Sequence, residues 1–338
     1  MKDCKADILR YRLPLKHSLI LKESCLNERE GLILCLSVAD RVGYGEIAPL
    51  PSFSHESFSE AEEQLQAFCR AFNAGCFTSS FFTDLQHPDF LMDVPCALSM
   101  PAVLFGIESA LWWLRQDRWF VPPAAVPLLQ GSTEDILHRL GQWQGIWPKE
   151  FKLKTGRESI ENDCFRINSV LNALPKSVNI RLDANQQWTL DQAIRLAASV
   201  DIRRIAYVEE PTANVDEFSQ LYEKTGLHFA LDETVQHPEY LPYPMPGLVA
   251  IVIKPTLVGG LERCWQLVTA GESLGVRTIF SSSYESSVGL HILEQLSTQW
   301  TPDEPPGLDT ASVFVNSLTS ETIIVGQPVS VNPAFVSL

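Results

Sequence analysis

Two patterns of hydrophobic and polar positions divide the chain. Up to about residue 54, apolar runs such as LILCLSV (32–38) alternate with turn-like stretches such as DRVGYGE (40–46), which predicts short strands and tight turns. A helix is predicted next, because Ser57 and Glu60 form a capping box. The apolar stripe of this helix consists of Ala61, Leu65, Phe68 and Phe72.

A second helix is predicted to begin near Pro101, and its inward-facing residues are Leu104, Ile107, Leu111 and Leu114. The proline-rich VPPAAVP (121–127) marks a boundary, after which strand-like runs alternate with helix-like segments. The runs are VPLLQG, EFKLK, NIRLD, IAYVEE, HFALDE, LVAIVIK and RTIFSSS. The clearest helix, over 189–200, opens with a capping box formed by Thr189 and Gln192.

This alternation predicts an α/β fold with a parallel sheet. No G-x-G-x-x-G follows any strand, so a dinucleotide-binding fold lacks its main signal and a barrel fits better. We therefore predict an α+β domain over residues 1–120 and a barrel over 121–310. The segment 311–338, with the strand-like runs SVFVNSL and TIIVGQPVSV, is predicted to return toward the first domain.

The acidic composition narrows the class of partners. The 338 residues include 26 Lys and Arg against 41 Asp and Glu, a net charge of −15, which argues against a nucleic-acid partner. No run approaches the ~18 apolar residues of a membrane span, and the N-terminus lacks the apolar core of a signal peptide. The eight cysteines form no CxxC pair, so we expect a cytoplasmic protein with free thiols.

Ionisable residues end five consecutive predicted strands. They are Lys152 and Lys154, Asp183, Glu209 and Glu210, Asp232 and Glu233, and Lys254. In a parallel barrel these strand ends form one rim, where active sites lie. Three carboxylates at one point repel each other unless a cation lies between them, and oxygen ligands without His or Cys suit Mg²⁺, with Mn²⁺ as a substitute. The predicted metal ligands are Asp183, Glu209 and Asp232.

The two lysines of FKLK project from the same face of their strand, because side chains alternate across a strand. Burial and charge repulsion are expected to lower the pKa of a lysine here, with Lys152 and the metal lowering the proton affinity of Lys154. Lys254 is expected to face Lys154 across the barrel mouth. Mg²⁺ between them would hold a substrate carboxylate and stabilise the enediolate that forms when a lysine removes the α-proton.

This constellation resembles the enolase superfamily, in which an α+β capping domain joins a modified (β/α)7β barrel. KLK, Asp183, Glu209, Asp232 and Lys254 are similar in order and spacing to its muconate-lactonizing subgroup. Further motifs resemble the o-succinylbenzoate synthase family, from about residue 10 to 310: GYGEIAPLPSFSHES (43–57), RLDANQQW, SSSYESSVGL and GLDT (307–310). One departure is Ser52, where the family pattern PLPGFS has glycine.

The resemblance implies a Mg²⁺-dependent syn dehydration of a small-molecule carboxylate, 2-succinyl-6-hydroxy-2,4-cyclohexadiene-1-carboxylate, to o-succinylbenzoate. The product would serve menaquinone or phylloquinone biosynthesis. Lys154 would take the α-proton and then protonate the departing hydroxyl. Lys254 would stabilise the ring and the anion, in part over a π face, with proton acceptance as its alternative role. The resemblance also implies a monomer.

Further residues each have a functional and a structural interpretation. Arg181 binds a substrate carboxylate or forms an ion pair, and Asn185 binds substrate or shapes a turn. Ser281, Ser282 and Ser283 either bind the succinyl carboxylate of the substrate or cap a helix. By the resemblance, Glu210 and Glu233 support the metal ligands. The capping-domain loop that closes over the substrate would include Tyr44, Pro49 and Pro51.

Three other functions stay open. An N-acylamino acid racemase or dipeptide epimerase would use Lys154 and Lys254 as opposed acid and base with the same metal ligands. A Schiff-base aldolase would use Lys254 as a covalent nucleophile. Borohydride would trap its covalent intermediate with a carbonyl substrate, and its activity would persist in the presence of a chelator. A binding protein that has lost catalysis would need neither the three metal ligands nor the three rim lysines, although all six are present: Lys152, Lys154, Asp183, Glu209, Asp232 and Lys254.

Overall fold

The computed structural model describes residues 4–21, 24–75, 98–324 and 327–337. Within them, one antiparallel sheet contains the strands β1 (Cys4–Ile20), β2 (Cys25–Val38), β3 (Arg41–Ile47) and β11 (Val336–Ser337). The spatial order is β11-β1-β2-β3, so a strand from the end of the chain pairs with the first one. This sheet and the helices packed against it form the capping domain.

Among the described residues, the capping domain contains the helices α1 (Phe58–Asn73) and α2 (Pro101–Trp113). The Ser57–Glu60 capping box at the start of α1 is present as predicted, and the predicted stripe is buried. In α2, however, burial extends almost all around the helix rather than along one stripe. The reason is its position, since α2 packs on β3 on one side and on helices of the barrel on the other.

The predicted turn over 40–46 is wrong, because the turn is confined to Ala39 and Asp40 and the rest forms β3. The glycines that suggested a turn serve close packing. A Cβ on Gly43 would lie 2.1 Å from the carbonyl oxygen of Ala110, and one on Gly45 only 1.7 Å from that of Gly106. Only glycine lets β3 approach the α2 backbone so closely.

The second sheet is the parallel barrel that the sequence predicts. Its strands are β4 (Leu128–Leu129), β5 (Glu150–Lys154), β6 (Asn179–Asp183), β7 (Ile205–Glu209), β8 (Phe229–Leu231), β9 (Leu248–Ile253) and β10 (Arg277–Phe280). They pair in chain order from β4 to β10. The segment around Gly307 closes the ring, since Ser281 bridges to Gly307 and the Val126 amide donates to the Pro306 carbonyl at 2.8 Å.

Helices follow the barrel strands on the outside. They are α3 (Thr133–Gly141), α4 (Ile160–Ala173), α5 (Leu190–Ser199), α6 (Asp216–Thr225), α7 (Pro255–Val258), α8 (Gly260–Leu274) and α9 (Ser287–Trp300). The predicted Thr189–Gln192 capping box opens α5. The barrel interior is filled by Tyr207, Ala230, Ala250, Val252 and Ile279. The barrel is therefore a packed core, and its chemistry belongs to the carboxyl-terminal rim.

The C-terminal segment is less regular than its strand-like composition predicts. Residues Ala311–Val313 form a 3-10 turn, and single bridges join Leu15 to Phe314 and Thr319 to Val331. Within the described part of this segment, regular pairing with the capping domain is confined to Val336–Ser337 against β1. Among the described residues, no helix is long and apolar enough to cross a membrane.

Candidate active site

Three carboxylates converge at the barrel rim. Asp183 and Glu209 are the last residues of β6 and β7, and Asp232 follows β8 directly. One oxygen from each lies within 4.8 Å of one from each of the others, and the three residues are no more than 2 % exposed. Three buried carboxylates at one point form an all-oxygen donor set, which fits a hard divalent cation.

The predicted lysines surround this triad. The Lys152 Nζ lies 2.8 Å from Oδ2 of Asp183 and 2.5 Å from Oε2 of Glu209. The Lys154 Nζ donates to the same Asp183 oxygen at 2.7 Å, which confirms that both lysines share one strand face. Lys254 follows β9 and donates to Oδ2 of Asp232. The rim thus carries three lysine side chains interleaved with three carboxylates.

Contacts with the carboxylates determine the direction of the pKa shift of two of the lysines. Burial disfavours the Lys152 ammonium, but Asp183 and Glu209 outweigh burial and raise its pKa well above the ordinary value. Burial likewise opposes the Lys254 ammonium, while Asp232 and Glu233 raise its pKa. Burial alone would raise the pKa of Asp183, yet Lys152 and Lys154 hold it well below its usual range.

Asn185 connects the predicted base to the supporting carboxylates. Its Oδ1 accepts from the Lys154 Nζ at 2.9 Å, and its Nδ2 donates to Oε1 of Glu233 at 3.1 Å. Asn185 has φ 44°, and Gln186 after it has φ 66°. Two successive left-handed residues turn the chain sharply behind Asp183 and bring the amide over Lys154. Asn185 thus shapes the turn and also lines the cavity.

Glu210 holds the backbone of a metal-ligand candidate. Its Oε1 accepts from the amides of Asp232 at 2.9 Å and Thr234 at 2.8 Å. It is fully buried at φ 40°, and burial followed by the charge of Glu233 raises its pKa to about 7. Glu210 therefore supports the main chain at Asp232, whereas Glu233 contacts Asn185.

A cavity of about 600 Å³ covers the three lysines. The barrel contributes Ser281 to Tyr284, and the capping domain contributes four apolar side chains: Ile20, Leu21, Leu50 and Phe53. Ser281 donates to the Gly307 carbonyl at 3.2 Å and Ser282 to Glu285 at 2.7 Å. The buried Oγ of Ser283 has no hydrogen-bond partner among the described residues, so of the three it is the hydroxyl available to a ligand.

The covering loop, which we define as residues 48–54, differs in detail from the prediction. Tyr44 is not part of it, because Tyr44 lies within β3, is 5 % exposed and packs edge-on against Trp113. Pro49 and Pro51 line an outer cleft instead of the cavity. Ser52, the departure from the family pattern, has φ 67°, a left-handed conformation that glycine adopts more readily than serine.

Arg181 does not contact the cavity, so its geometry fits the ion-pair interpretation. Its Nε donates to Oε2 of Glu150 at 2.5 Å, and its guanidinium carbon lies 5.6 Å from the ring centroid of Tyr207. Arg181 shares a strand face with Asp183 but lies two residues earlier, which places it ~7 Å deeper in the barrel. It is a structural residue of the barrel floor.

Asp163 is a supporting residue that the sequence analysis missed. Its Oδ2 accepts from the Gly156 amide at 2.9 Å and from Nε1 of Trp188 at 2.9 Å. It thereby ties the loop after Lys154 to the loop after Asp183. In the sequence it looks like any acidic residue in a first helical turn, so no local signal marked it. Leu50 and Phe53, which line the cavity, were also missed. The sequence marks them only weakly, as apolar residues in a proline-rich loop.

Comparison with known proteins agrees with this geometry. Residues 140–329 match the family described as enolase C-terminal domain-like, and residues 3–114 match MenC, N-terminal domain. An o-succinylbenzoate synthase from Haemophilus influenzae is 35% identical over 321 residues, covering 93% of this chain and 92% of that protein.

Two solved structures share the fold. The o-succinylbenzoate synthase from Thermosynechococcus elongatus, complexed with Mg in the active site, has a TM-score of 0.68 at 23% identity, covering 93% of this chain and 95% of that one. The L-Ala-D/L-Glu epimerase from Bacillus subtilis has a TM-score of 0.77 at 19% identity, covering 99% of both chains. The capped barrel and its rim of carboxylates and lysines define an enzyme of the enolase superfamily. More narrowly, the chain belongs to the o-succinylbenzoate synthase family.

Proposed function

We propose that the protein dehydrates 2-succinyl-6-hydroxy-2,4-cyclohexadiene-1-carboxylate to o-succinylbenzoate with Mg²⁺. The observation that carries this proposal is the convergence of Lys152, Lys154 and Lys254 on the buried triad beneath a cavity, in a chain of this family. The cavity of about 600 Å³ lies within the usual range for small-molecule sites.

Asp183, Glu209 and Asp232 would hold the metal. Their oxygens are hard donors and no soft donor joins them among the described residues, which favours Mg²⁺ and allows Mn²⁺. When bound, the ion supplies positive charge that stabilises the negative charge developing on the substrate carboxylate.

Lys154 is the proposed base. As a neutral amine it takes the α-proton, and the electron pair of the broken C–H bond moves first onto the substrate carboxylate and then, as the C–O bond breaks, into a new ring double bond. Lys154 then returns the proton to the departing hydroxyl on the same face, water leaves, and the ring becomes aromatic. Asn185 orients the Lys154 Nζ through its contact at 2.9 Å, so that the lone pair can face the cavity.

Lys254 and Ser283 are proposed to bind the substrate. Lys254 lies deep in the cavity as an ammonium and would stabilise the anion, with proton acceptance as its alternative role. Ser283, with Ser281 and Ser282 beside it, would receive the succinyl carboxylate. Lys152 bridges Asp183 and Glu209 and would keep these two carboxylates in register.

The alternatives are weaker. A dipeptide epimerase shares the fold at 19% identity, which does not discriminate between chemistries, whereas the 35% identity to a synthase covers almost the whole chain. A Schiff-base aldolase would have no use for the buried triad of Asp183, Glu209 and Asp232. A binding protein would leave the interleaved lysines and carboxylates without a purpose.

The deciding experiment is an ultraviolet assay of the purified protein with the cyclohexadiene substrate, first with Mg²⁺ and then with excess EDTA. We expect rapid loss of the diene absorbance that EDTA abolishes. No turnover with Mg²⁺ would refute the proposed substrate, and N-acylamino acids and dipeptides would be assayed next. Turnover that is indifferent to EDTA would refute the metal site.

The cellular context belongs to the proposal as well. We place the reaction in menaquinone biosynthesis, with phylloquinone biosynthesis as the alternative use of the same product. We propose a cytoplasmic location and a monomer. Light scattering during size-exclusion chromatography would test the oligomeric state, and a dimer mass would contradict it.

A further inference from the structure

A buried arginine joins the two loops that face each other across the cavity. Arg29 lies in β2 and is 1 % exposed. Its Nε donates to the carbonyl oxygen of Tyr284 at 3.2 Å. Its Nη1 donates to the carbonyl oxygen of Pro49 at 2.7 Å, and its Nη2 donates to that of Ala48. One guanidinium therefore contacts both the covering loop and the barrel loop Ser281–Tyr284.

The covering loop is a compact unit that Arg29 holds at its start. The amides of Phe53 and Ser54 donate to the Leu50 carbonyl at 3.0 and 2.8 Å, and the Leu50 amide donates to Oγ of Ser54 at 2.9 Å. Because these bonds close the loop on itself, Leu50 and Phe53 move together. Their position over the cavity then depends on where the start of the loop is held.

The barrel loop depends on the same contact. Tyr284 has φ 63°, a conformation that non-glycine residues adopt only when their surroundings enforce it. Its amide donates to Oγ of Ser282 at 2.9 Å, and its carbonyl accepts from Arg29. Arg29 thus stabilises the conformation that presents Ser281 to Ser283 to the cavity.

We infer that Arg29 is a positioning residue that fixes the covering loop and the loop Ser281–Tyr284 at one separation, and so keeps the cavity in its substrate-binding form. An arginine suits this role, because its rigid planar fork reaches three carbonyls at fixed angles, which a lysine ammonium does not. The inference rests on the proposed function of the site, but the contacts themselves do not.

Arg204 provides a matched control. It is also buried, at 7 % exposure, and its guanidinium donates to the main-chain carbonyls of Leu171, Pro175 and Val178. These carbonyls belong to the outside of the barrel and do not line the cavity. Arg29→Met and Arg204→Met therefore remove similar bonds, and only the first variant loosens the two loops. Arg29→Lys is the milder variant if Arg29→Met does not fold.

The first readout is hydrogen–deuterium exchange without substrate, followed in peptides that cover 48–54 and 281–286. We expect Arg29→Met to speed exchange by ~10-fold or more in both segments, because local opening becomes easier. Arg204→Met should leave both segments at the wild-type rate. Faster exchange in only one segment or in neither, or an equal effect of Arg204→Met, would overturn the inference.

The second readout is the division of the effect between KM and kcat. If the binding-competent cavity falls to ~1–10 % of the population, KM rises by ~10–100-fold while kcat changes little. Arg204→Met should change neither parameter. A fall in kcat at unchanged KM would overturn the inference. A wild-type protein without dehydratase activity would overturn the proposed function instead, and the exchange comparison would still decide the role of Arg29.

Discussion

Replacing Glu46 with glutamine is expected to destabilise the folded protein by about 3 kcal/mol. Glu46 lies in β3 of the capping domain and is fully buried against the start of α9 in the barrel. Its Oε1 accepts from the Ser286 amide at 2.8 Å and from the Tyr11 hydroxyl at 2.5 Å. Its Oε2 accepts from the Gly289 amide at 2.8 Å and from the Ser286 hydroxyl at 2.5 Å.

The magnitude follows from what a glutamine cannot do at this position. The hydroxyls of Tyr11 and Ser286 can rotate and accept a hydrogen bond from the glutamine NH₂ group. The main-chain amides of Ser286 and Gly289 can only donate, and they bond different oxygens of Glu46. Either orientation of the glutamine therefore leaves one buried N–H facing an NH₂ group. An unsatisfied buried donor costs ~1–3 kcal/mol, and loss of a negative charge at a helix N-terminus costs ~0.3–1 kcal/mol. Burial raises the pKa of Glu46, which reduces the second contribution.

Glu56→Gln is the matched control. Glu56 is a buried capping-domain carboxylate whose Oε1 accepts from the Ala102 amide at 2.8 Å, at the start of α2. Its Oε2 is buried and has no partner among the described residues, so glutamine exchanges one unpaired atom for another. We expect this variant to cost less than ~1 kcal/mol.

The assay is urea unfolding followed by tryptophan fluorescence and circular dichroism, with the free energies of unfolding compared at equal m-values. With ~2.1 cal/mol/K per residue and 338 residues unfolding as one unit, 3 kcal/mol corresponds to a Tm shift of ~4 °C. Free energies of the two variants within ~0.5 kcal/mol of each other would refute the argument that paired main-chain donors stabilise the domain contact.

Three further predictions concern the site and the second buried carboxylate of the domain contact. Lys154→Ala should lower kcat for dehydration by ~10²–10⁴-fold or more with an unchanged circular dichroism spectrum, and wild-type turnover would end the proposed mechanism. Asp232→Asn should weaken Mg²⁺ binding by more than ~10-fold in calorimetry, whereas unchanged affinity would remove Asp232 from the ligand set. Glu108, which accepts from the Leu261 and Glu262 amides, has its pKa raised by burial from 4.5 to about 8. The protonated Glu108 therefore contributes its full stabilisation below pH 4.5. This contribution declines as the pH rises above 4.5, and the decline is complete once the pH has passed 8. Relative to Glu108→Gln, the wild type should lose about 4 kcal/mol between pH 5 and pH 9, and a constant difference would mean that the carboxylate stays ionised.

The elements that depend on neighbouring residues could be predicted from the sequence. The capping boxes at Ser57 and Thr189 are present because an N-cap and its N3 partner lie three residues apart and need nothing else. The charged strand ends could also be predicted, since parallel strands in chain order bring their carboxyl ends to one rim. The triad of Asp183, Glu209 and Asp232 follows from that rule alone.

What depends on distant neighbours could not be predicted. The period of a strand gives the face on which Arg181 lies but not its depth, and depth decides that it meets Glu150 rather than the cavity. Gly43 and Gly45 resemble turn glycines until α2 is placed against them. The partners of Arg29 and Glu46 in the barrel lie 255 and 240 residues away in the chain, so no local pattern marks either residue.

The contacts of Arg29 and Glu46 have a consequence for how this sequence can vary over evolution. Most of their partners are main-chain atoms, namely the carbonyls of Ala48 and Pro49 and the amides of Ser286 and Gly289. Every residue type supplies a carbonyl, so a substitution at Tyr284 can reshape the cavity wall without removing the carbonyl through which Arg29 joins the two domains. The enzyme can thus drift in substrate preference while its domains keep the same junction.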